Sequence, residues 1–312
     1  MVTKDKTIGV IMGGPSREAE VSRRTGKAVA EALRSLGYPV VEVEYDPPRL
    51  AEQLQKAGAE VAFLALHGKY GEDGTIQGAM ELMGMPYTGS GVMSSAITMD
   101  KIMSSRLFQA AGIRMADSHP YFREDSSLEA IEEDILRRFL FPFVLKPACE
   151  GSTIGIEIVR SREELPEALR RVFRIEARIL AETYLDGEEF TVSVLNGQAL
   201  PVIQICPHSG AYDYYSKYTR GATEYIVPAP VPEALAEEMK QMALDGYRTA
   251  ECRGAVRFDF RTDRRGVPYL LEANSIPGMT ATSLVPKAAQ AAGMDFPHLC
   301  EAILQGAGTG KV

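Results

Sequence analysis

Residues 256–280, VRFDFRTDRRGVPYLLEANSIPGMT, alternate apolar and polar side chains on either side of a polar turn. That pattern predicts two short strands folded back as a hairpin. On a strand, residues two apart point to the same side, so Arg257 shares a face with Asp259, and Glu272 shares one with Asn274. If the strands pair through RTDRRG, the two sets meet. A face that a core hairpin would fill with apolar groups then carries a cation, two carboxylates and an amide. Two carboxylates and an amide oxygen are hard ligands suited to Mg2+, which completes its shell with water and substrate phosphates. A solvated face bearing ordinary cross-strand charge pairs would have the same composition. The NSIPGMT that follows offers backbone N–H groups after a Pro bend, where an anion or oxyanion can be held.

Outward from the hairpin, the organisation changes twice. TIGVIMGG, YPVVEVEY and EVAFLALHG read as strands separated by helical patterns such as EVSRRTGKAVAEALRSLG, which favours a parallel sheet up to about residue 100. FPFVLKPACEGSTIGIEIVR reads as strand, glycine-rich turn, strand, in a small α+β unit. EFTVSVLNGQALPVIQIC is a hairpin about the tight-turn pair Asn196-Gly197. A long polar loop holding Tyr212, Tyr214, Tyr215 and Tyr218 follows, and loops of that length are usually lids or binding loops. The expected class is α/β, α+β in parts, with units at 1–100, 101–185 and 186–312, and 312 residues with 45 % hydrophobic content can bury such cores.

Composition excludes several functions. A net charge of -8 argues against nucleic acid as the main partner. It leaves a small phosphate ligand open, because one Lys about 4 Å from a phosphate gains roughly 4 kcal/mol at an effective dielectric near 20. Cys149, Cys206, Cys252 and Cys300 are scattered with no CxxC, so neither a disulfide framework nor a thiolate metal site is indicated, and buried small hydrophobes are expected. The first apolar run is too short for a signal segment and no stretch approaches a membrane span, so a soluble cytoplasmic protein is expected. MGGPSREAEVS lacks GxGxxG. GAGTGKV near residue 311 lacks the first Gly of a phosphate loop and a Ser or Thr after Lys311.

Four further features carry both a functional and a plain reading. Lys146 ends a strand before the turn Gly151–Gly155, which is either a phosphate cradle or a hairpin loop. Glu182 and Glu189 bracket a strand exit whose backbone can meet an adenine edge and whose carboxylate can meet ribose. Glu18 stands in the first turn of a helix opening at Ser16, as an anion-site residue or a dipole-matching charge. His67 sits in the Gly-rich LHGKYGEDGTIQG without a second histidine at metal-ligand spacing, where a structural role is the commoner one.

In chain order, GGPSREAEVS, HGKYGEDGTIQG, YTGSGVMSSAITMDK, LKPACEGSTIG, YDYYSKY, RFDF and LEANSIPGMTATSLVP span nearly the whole sequence. This order resembles the ATP-grasp ligases, specifically the D-alanine-D-alanine ligases of bacterial cell-wall synthesis. The resemblance implies three α/β domains with ATP between the central and C-terminal ones, two D-alanines as substrates, two Mg2+ ions with Mn2+ as a possible substitute, and a homodimer. It implies Lys101, Lys146 and Ser152 at the nucleotide, Lys217 near the transferred phosphate, Glu182 and Leu185 presenting backbone to adenine, and Glu189 on the ribose. Asp259, Glu272 and Asn274 match the metal ligands. Glu18 matches the acid that holds the first substrate's ammonium, with His67 and Tyr212 among the substrate residues. Ser283 and the Leu284 amide match the carboxylate anchor of the second substrate. Ser152 and Tyr218 match the pair that hydrogen-bonds with Glu18 to close the site, and Tyr218 implies an amine as the second nucleophile. Arg257 and the Gly278 amide match the oxyanion-stabilising groups. Thr183 departs, standing where such ligases usually carry a Lys that reaches the nucleotide.

Overall fold

Three separate sheets organise the chain, roughly one for each third of it. The computed structural model describes every residue except 152, 209–218, 220, 281, 282 and 312. Ser152, and the tyrosine-rich loop with Tyr212, Lys217 and Tyr218, lie outside the described residues.

In the first sheet Ile8–Met12 runs between Val40–Glu44 and Val61–Leu64, and both pairings are parallel. The central strand is buried along its whole length, which its unbroken apolar run requires. The crossover helix Ala19–Ser35 buries Val21, Val29, Ala32 and Leu33 at helical spacing. It begins after Ser16 rather than at it. Ser16 Oγ accepts the N–H of Glu18 at 3.2 Å, which holds these residues in a turn ahead of the helix. Helices Leu284–Ala291 and Phe296–Gln305, from the far end of the chain, close the same core, packing Val285, Leu299 and Ile303 with Ile8, Val10 and Phe63.

The second sheet is antiparallel, in the order Ser118–Phe122, Arg178–Thr183, Phe143–Pro147, Glu157–Val159. Helices Leu128–Arg138 and Leu165–Ile175 cover one side of it. The third sheet is also antiparallel, in the order Thr223–Ile226, Ile203–Pro207, Glu189–Leu195, Ala255–Thr262, Pro268–Asn274, with Gln198–Ala199 folding back onto Glu189–Leu195. Asn196 and Gly197 between those last two have φ of 48° and 82°, the doubly positive turn that Asn-Gly favours.

Helix Glu233–Thr249 lies on the buried face of the third sheet, and Gly246 sets its approach. A Cβ at Gly246 would stand 2.8 Å from the Phe258 ring. Glycine inside a helix costs about 1 kcal/mol relative to alanine, but here it lets the helix rest on a fully buried aromatic side chain. Gly246→Ala should overpack this contact and lower stability by about 1–3 kcal/mol, seen as a lower urea midpoint at unchanged slope.

Cys252 and Cys300 are buried, as expected, but Cys149 and Cys206 are only partly so. Cys149 lies in the glycine-rich turn, where its sulfur accepts from Arg178 at 2.9 Å, and Cys206 lies on the strand next to the sheet edge. Lys311 is tied down as a structural cation: its Nζ donates to the carbonyls of Tyr87 and Gly89 at 2.5 and 2.8 Å. Among the described residues no helix is long and apolar enough to cross a membrane.

Candidate active site

The hairpin register pairs Arg257 with Asn274 and Asp259 with Glu272. On the other side of Ala255–Thr262, the strand Glu189–Leu195 aligns Ser193 with Arg257, Thr191 with Asp259 and Glu189 with Arg261. Residues directly opposite in neighbouring strands share a face. One face of the third sheet therefore carries three rows: Ser193, Arg257, Asn274; Thr191, Asp259, Glu272; Glu189, Arg261, Tyr269. The reverse face carries Phe258, Phe260 and Ala273, all buried.

Strict alternation would spoil this arrangement, because Leu270 has the same parity as Glu272 and Asn274. A bulge resolves the conflict. The register shifts between Asp259 and Phe260, so that Phe260 pairs with Leu270 and Leu271 is the extra residue. Leu270 turns into the core at 1 % exposure, while Glu272 and Asn274 stay on the polar face.

Asp259 is the hub of that face. Its Oδ1 accepts from Arg257 Nε at 2.8 Å and from Thr191 Oγ1 at 2.7 Å. Its Oδ2 accepts from the Arg257 guanidinium at 2.9 Å and from Asn274 Nδ2 at 3.1 Å. Charge-assisted forks of this kind are strong and directional. Glu272 faces Lys101, whose Nζ lies 3.6 Å from its carboxylate. The same Nζ donates to the Glu150 carbonyl at 2.7 Å, so Lys101 bridges the hairpin and the glycine-rich turn. Helix Lys101–Ala110 is fixed there by Asp100, whose side chain caps the N–H groups of Ile102 and Met103 and pairs with Arg178 at 2.7 Å.

The second sheet supplies a buried pair. Lys146 Nζ donates to Glu182 Oε1 at 2.8 Å, across strands Phe143–Pro147 and Arg178–Thr183. Glu189, expected at a ribose, is 3.1 Å from Arg261, whose guanidinium also lies over the Tyr184 ring. Leu185 is buried beside them, while Thr183 is exposed and its N–H donates to the Asp117 carbonyl.

The third group gathers at the end of the first sheet. Glu18 stands at the N-terminus of its helix and makes no side-chain cap to it. Its carboxylate lies instead 3.1 Å from where a Gly68 Cβ would stand and 3.3 Å from that of Gly151. It is thus wedged between the Gly-rich loop of the first sheet and the glycine-rich turn of the second, at a cleft of about 660 Å³ also lined by Arg17, Glu150 and Arg178. Ser283 Oγ accepts the Thr280 N–H at 3.0 Å and lies 3.0 Å from the place of a Gly278 Cβ, and Leu284 opens the next helix.

His67 is buried, and burial holds its pKa below the ordinary value despite the nearby Glu18. Thr25 Oγ1 and His67 Nε2 are 3.2 Å apart. Glu72, five residues on, was not singled out by the sequence. Burial, then the neighbouring Glu18, push its carboxyl up to about 8. Arg261 and Thr191 were also missed. Their signal was available in the alternation of RFDFRT and EFTVSVL, whereas Glu72 lies in a loop, where periodicity says nothing.

Comparison with known proteins follows this geometry. The family description "D-ala D-ala ligase C-terminus" matches residues 107–305, and "D-ala D-ala ligase N-terminus" matches residues 44–90. The chain is 47 % identical to a D-alanine-D-alanine ligase of Syntrophotalea carbinolica over 99 % of its own length and 98 % of the relative's. Among solved structures it is similar to the D-alanine-D-alanine ligase of Bacillus anthracis, with TM-score 0.84, 36 % identity, and 96 % and 97 % of the two chains covered. A second structure of that Bacillus enzyme is complexed with ATP and superposes with TM-score 0.82 at 35 % identity, covering 96 % and 97 %. A D-Ala:D-Ser ligase of Enterococcus faecalis has TM-score 0.82 at 27 % identity, covering 96 % and 98 %. On this likeness of sequence and fold across nearly its whole length, the chain belongs to the D-alanine-D-alanine ligase family, with its ATP-grasp α/β architecture.

Proposed function

We propose that this protein joins two D-alanine molecules into D-alanyl-D-alanine at the expense of ATP, by way of an acyl phosphate, as a cytoplasmic step of peptidoglycan precursor synthesis. The observation that carries this reading is the hairpin register, which gathers Arg257, Asp259, Glu272 and Asn274 on one polar face with Lys101 3.6 Å from Glu272.

A free carboxylate repels nucleophiles and has no good leaving group. In the proposed sequence the carboxylate of the first D-alanine attacks the terminal phosphorus of ATP and displaces ADP, with Lys101 and Lys146 at the phosphates to neutralise charge and fix geometry. Lys217 would serve the same end. Glu18 takes the ammonium of this substrate, with His67 beside it as a neutral wall. The neutral amine of the second D-alanine then attacks the acyl phosphate while Ser283 and the Leu284 amide hold its carboxylate at a helix start. The tetrahedral oxyanion is held by Arg257 and the Gly278 N–H before phosphate leaves. Tyr218 and Ser152 would close the site onto Glu18, and Tyr212 would line it. Glu182 and Leu185 would offer backbone to adenine, and Glu189 a carboxylate to ribose.

The donor set fits Mg2+. Asp259 and Glu272 stand opposite each other with Asn274 beside them, and a bound ion would displace donors that now occupy the Asp259 oxygens. Mg2+ commonly takes one or two carboxylates and leaves its other positions to water and phosphate. When bound there it would offset the negative charge of the phosphates. We place divisions of the chain near residues 100 and 185, between one sheet and the next, with the last two helices returning to the first core. Leu82, Met83 and Met93 expose apolar side chains on the adjacent helices Thr75–Met83 and Val92–Met99, a surface that a second copy would cover in a homodimer.

The test is phosphate release from ATP with D-alanine, L-alanine, D-serine and D-lactate in turn. Release is expected with D-alanine and no second amino acid. A silent D-alanine arm refutes the reading, and a response that needs D-serine moves the acceptor assignment.

A further inference from the structure

The chain passes from the second sheet to the third through residues 184–188, between the end of strand Arg178–Thr183 and the start of strand Glu189–Leu195. This linker is fastened to the end of strand Ala255–Thr262. The Gly187 N–H donates to the Thr262 carbonyl at 3.0 Å, the Thr262 N–H to the Glu188 carbonyl at 3.0 Å, and the Glu188 N–H to Thr262 Oγ1 at 2.9 Å. A Cβ at Gly187 would stand 2.2 Å from Thr262 Oγ1 and 2.5 Å from the Thr262 carbonyl oxygen, so only glycine lets the two segments lie this close.

One side chain then ties the linker to the polar face. Arg261, paired in register with Glu189, donates through Nε to the Gly187 carbonyl at 3.2 Å and through Nη2 to the Tyr184 hydroxyl at 3.4 Å, and its Nη1 lies 3.1 Å from Glu189 Oε1. The centre of its guanidinium lies 5.1 Å from the Tyr184 ring centroid. Each nitrogen of the guanidinium thus meets a different residue between Tyr184 and Glu189. An arginine suits this task because its fork is planar and stays charged. The Arg261 and Glu189 side chains are only 20 % and 17 % exposed, so salt screens their pairing less than that of a surface pair. Leu185, inside the span that Arg261 grips, is buried.

A carboxylate offers about four acceptor positions. A guanidinium at Oε1 keeps Glu189 ionised and fixes the direction of the others, as recognition of sugar hydroxyls requires. We infer that Arg261 is a positioning residue for the nucleotide, which holds the Glu189 carboxylate and the backbone of residues 184–187 in the arrangement that receives ribose and adenine. This deepens the nucleotide reading above and rests on it. Its effect belongs to nucleotide binding, since the groups proposed for phosphoryl transfer and ligation stand in the other two rows of the sheet face. Ordering one rotamer-rich side chain only when the ligand arrives costs roughly 2–10-fold in affinity, and Arg261 orders both Glu189 and the linker beforehand.

The test compares calorimetric affinities for ATP and for its dideoxy analogue, which lacks both ribose hydroxyls, beside kcat and the D-alanine KM at saturating ATP. The wild-type protein should prefer ATP by about 10–100-fold, as hydrogen bonds to a charged acceptor typically give. Arg261→Met should weaken ATP about tenfold and bring the two nucleotides within about threefold of each other, with kcat and the D-alanine KM within about threefold of wild type. Arg261→Lys keeps a cation for Glu189 without the fork and should show an intermediate preference, so the result does not hinge on how well the Met variant folds. In a Glu189→Gln background, Arg261→Met should change the preference little further, because the two side chains act as a unit. Arg264→Ala removes the exposed partner of Asp186 on the same linker and should leave the preference intact. A wild-type preference retained in the Met and Lys variants, or lost equally in Arg264→Ala, overturns the inference alone. A wild-type protein that does not bind ATP, or binds both nucleotides equally, overturns the nucleotide reading together with it.

Discussion

Arg257→Ala should lower kcat by about 10²–10³, roughly 2.7–4 kcal/mol of transition-state stabilisation, with ATP still bound. The structure separates this loss from a folding defect. Asp259 would lose its fork from Arg257 but keep Thr191 Oγ1 and Asn274 Nδ2 as donors, so the carboxylate is not left without partners. Arg257→Lys should recover little, because an ammonium cannot reproduce the two parallel N–H contacts of the guanidinium. Single-turnover phosphate release and calorimetric ATP titration make the distinction. Near-normal turnover in the Ala variant would remove Arg257 from the oxyanion role.

Lys146→Met should lower stability substantially. It leaves Glu182 buried between strands without its cation, and breaking a buried pair from one side typically costs about 3–5 kcal/mol. The double variant Lys146→Met, Glu182→Leu should regain most of that loss, since an apolar replacement of both partners is often near neutral. It should not regain turnover if Lys146 also serves the phosphates. Denaturant midpoints of the two variants, set beside their rates, divide the structural part of Lys146 from the chemical part. Equal stability of wild type and Lys146→Met would mean that water reaches Glu182 freely.

These two residues also mark the limit of what the sequence disclosed. Arg257 facing Asp259 was readable from alternation within RFDF, and the meeting with Glu272 and Asn274 needed only the assumption that adjacent strands pair through their turn. Lys146 and Glu182 lie 36 residues apart, on strands that become neighbours only because Arg178–Thr183 enters the middle of its sheet. No local pattern reports that. Alternation also misplaces Leu270, whose parity puts it with the polar face, because one unpaired residue reverses the phase. Glu72 was hidden for another reason. It lies in a loop, and its 2.6 Å contact with the Gly68 N–H follows from how that loop folds rather than from any periodicity.

The bulge at Leu271 also insulates. In an unbroken ladder, a residue gained or lost at the Asp263–Gly266 turn could slide one strand past the other and exchange every partner down to Asn274. Here the two ends of the ladder are registered independently, one by Phe260 against Leu270, the other by Asp259 against Glu272. Changes of length at the exposed tip can be absorbed at the extra residue before they reach the chemistry. The polar face is therefore tolerant toward its own turn and intolerant toward the stretch from Glu272 to Gly278, where no such slack exists.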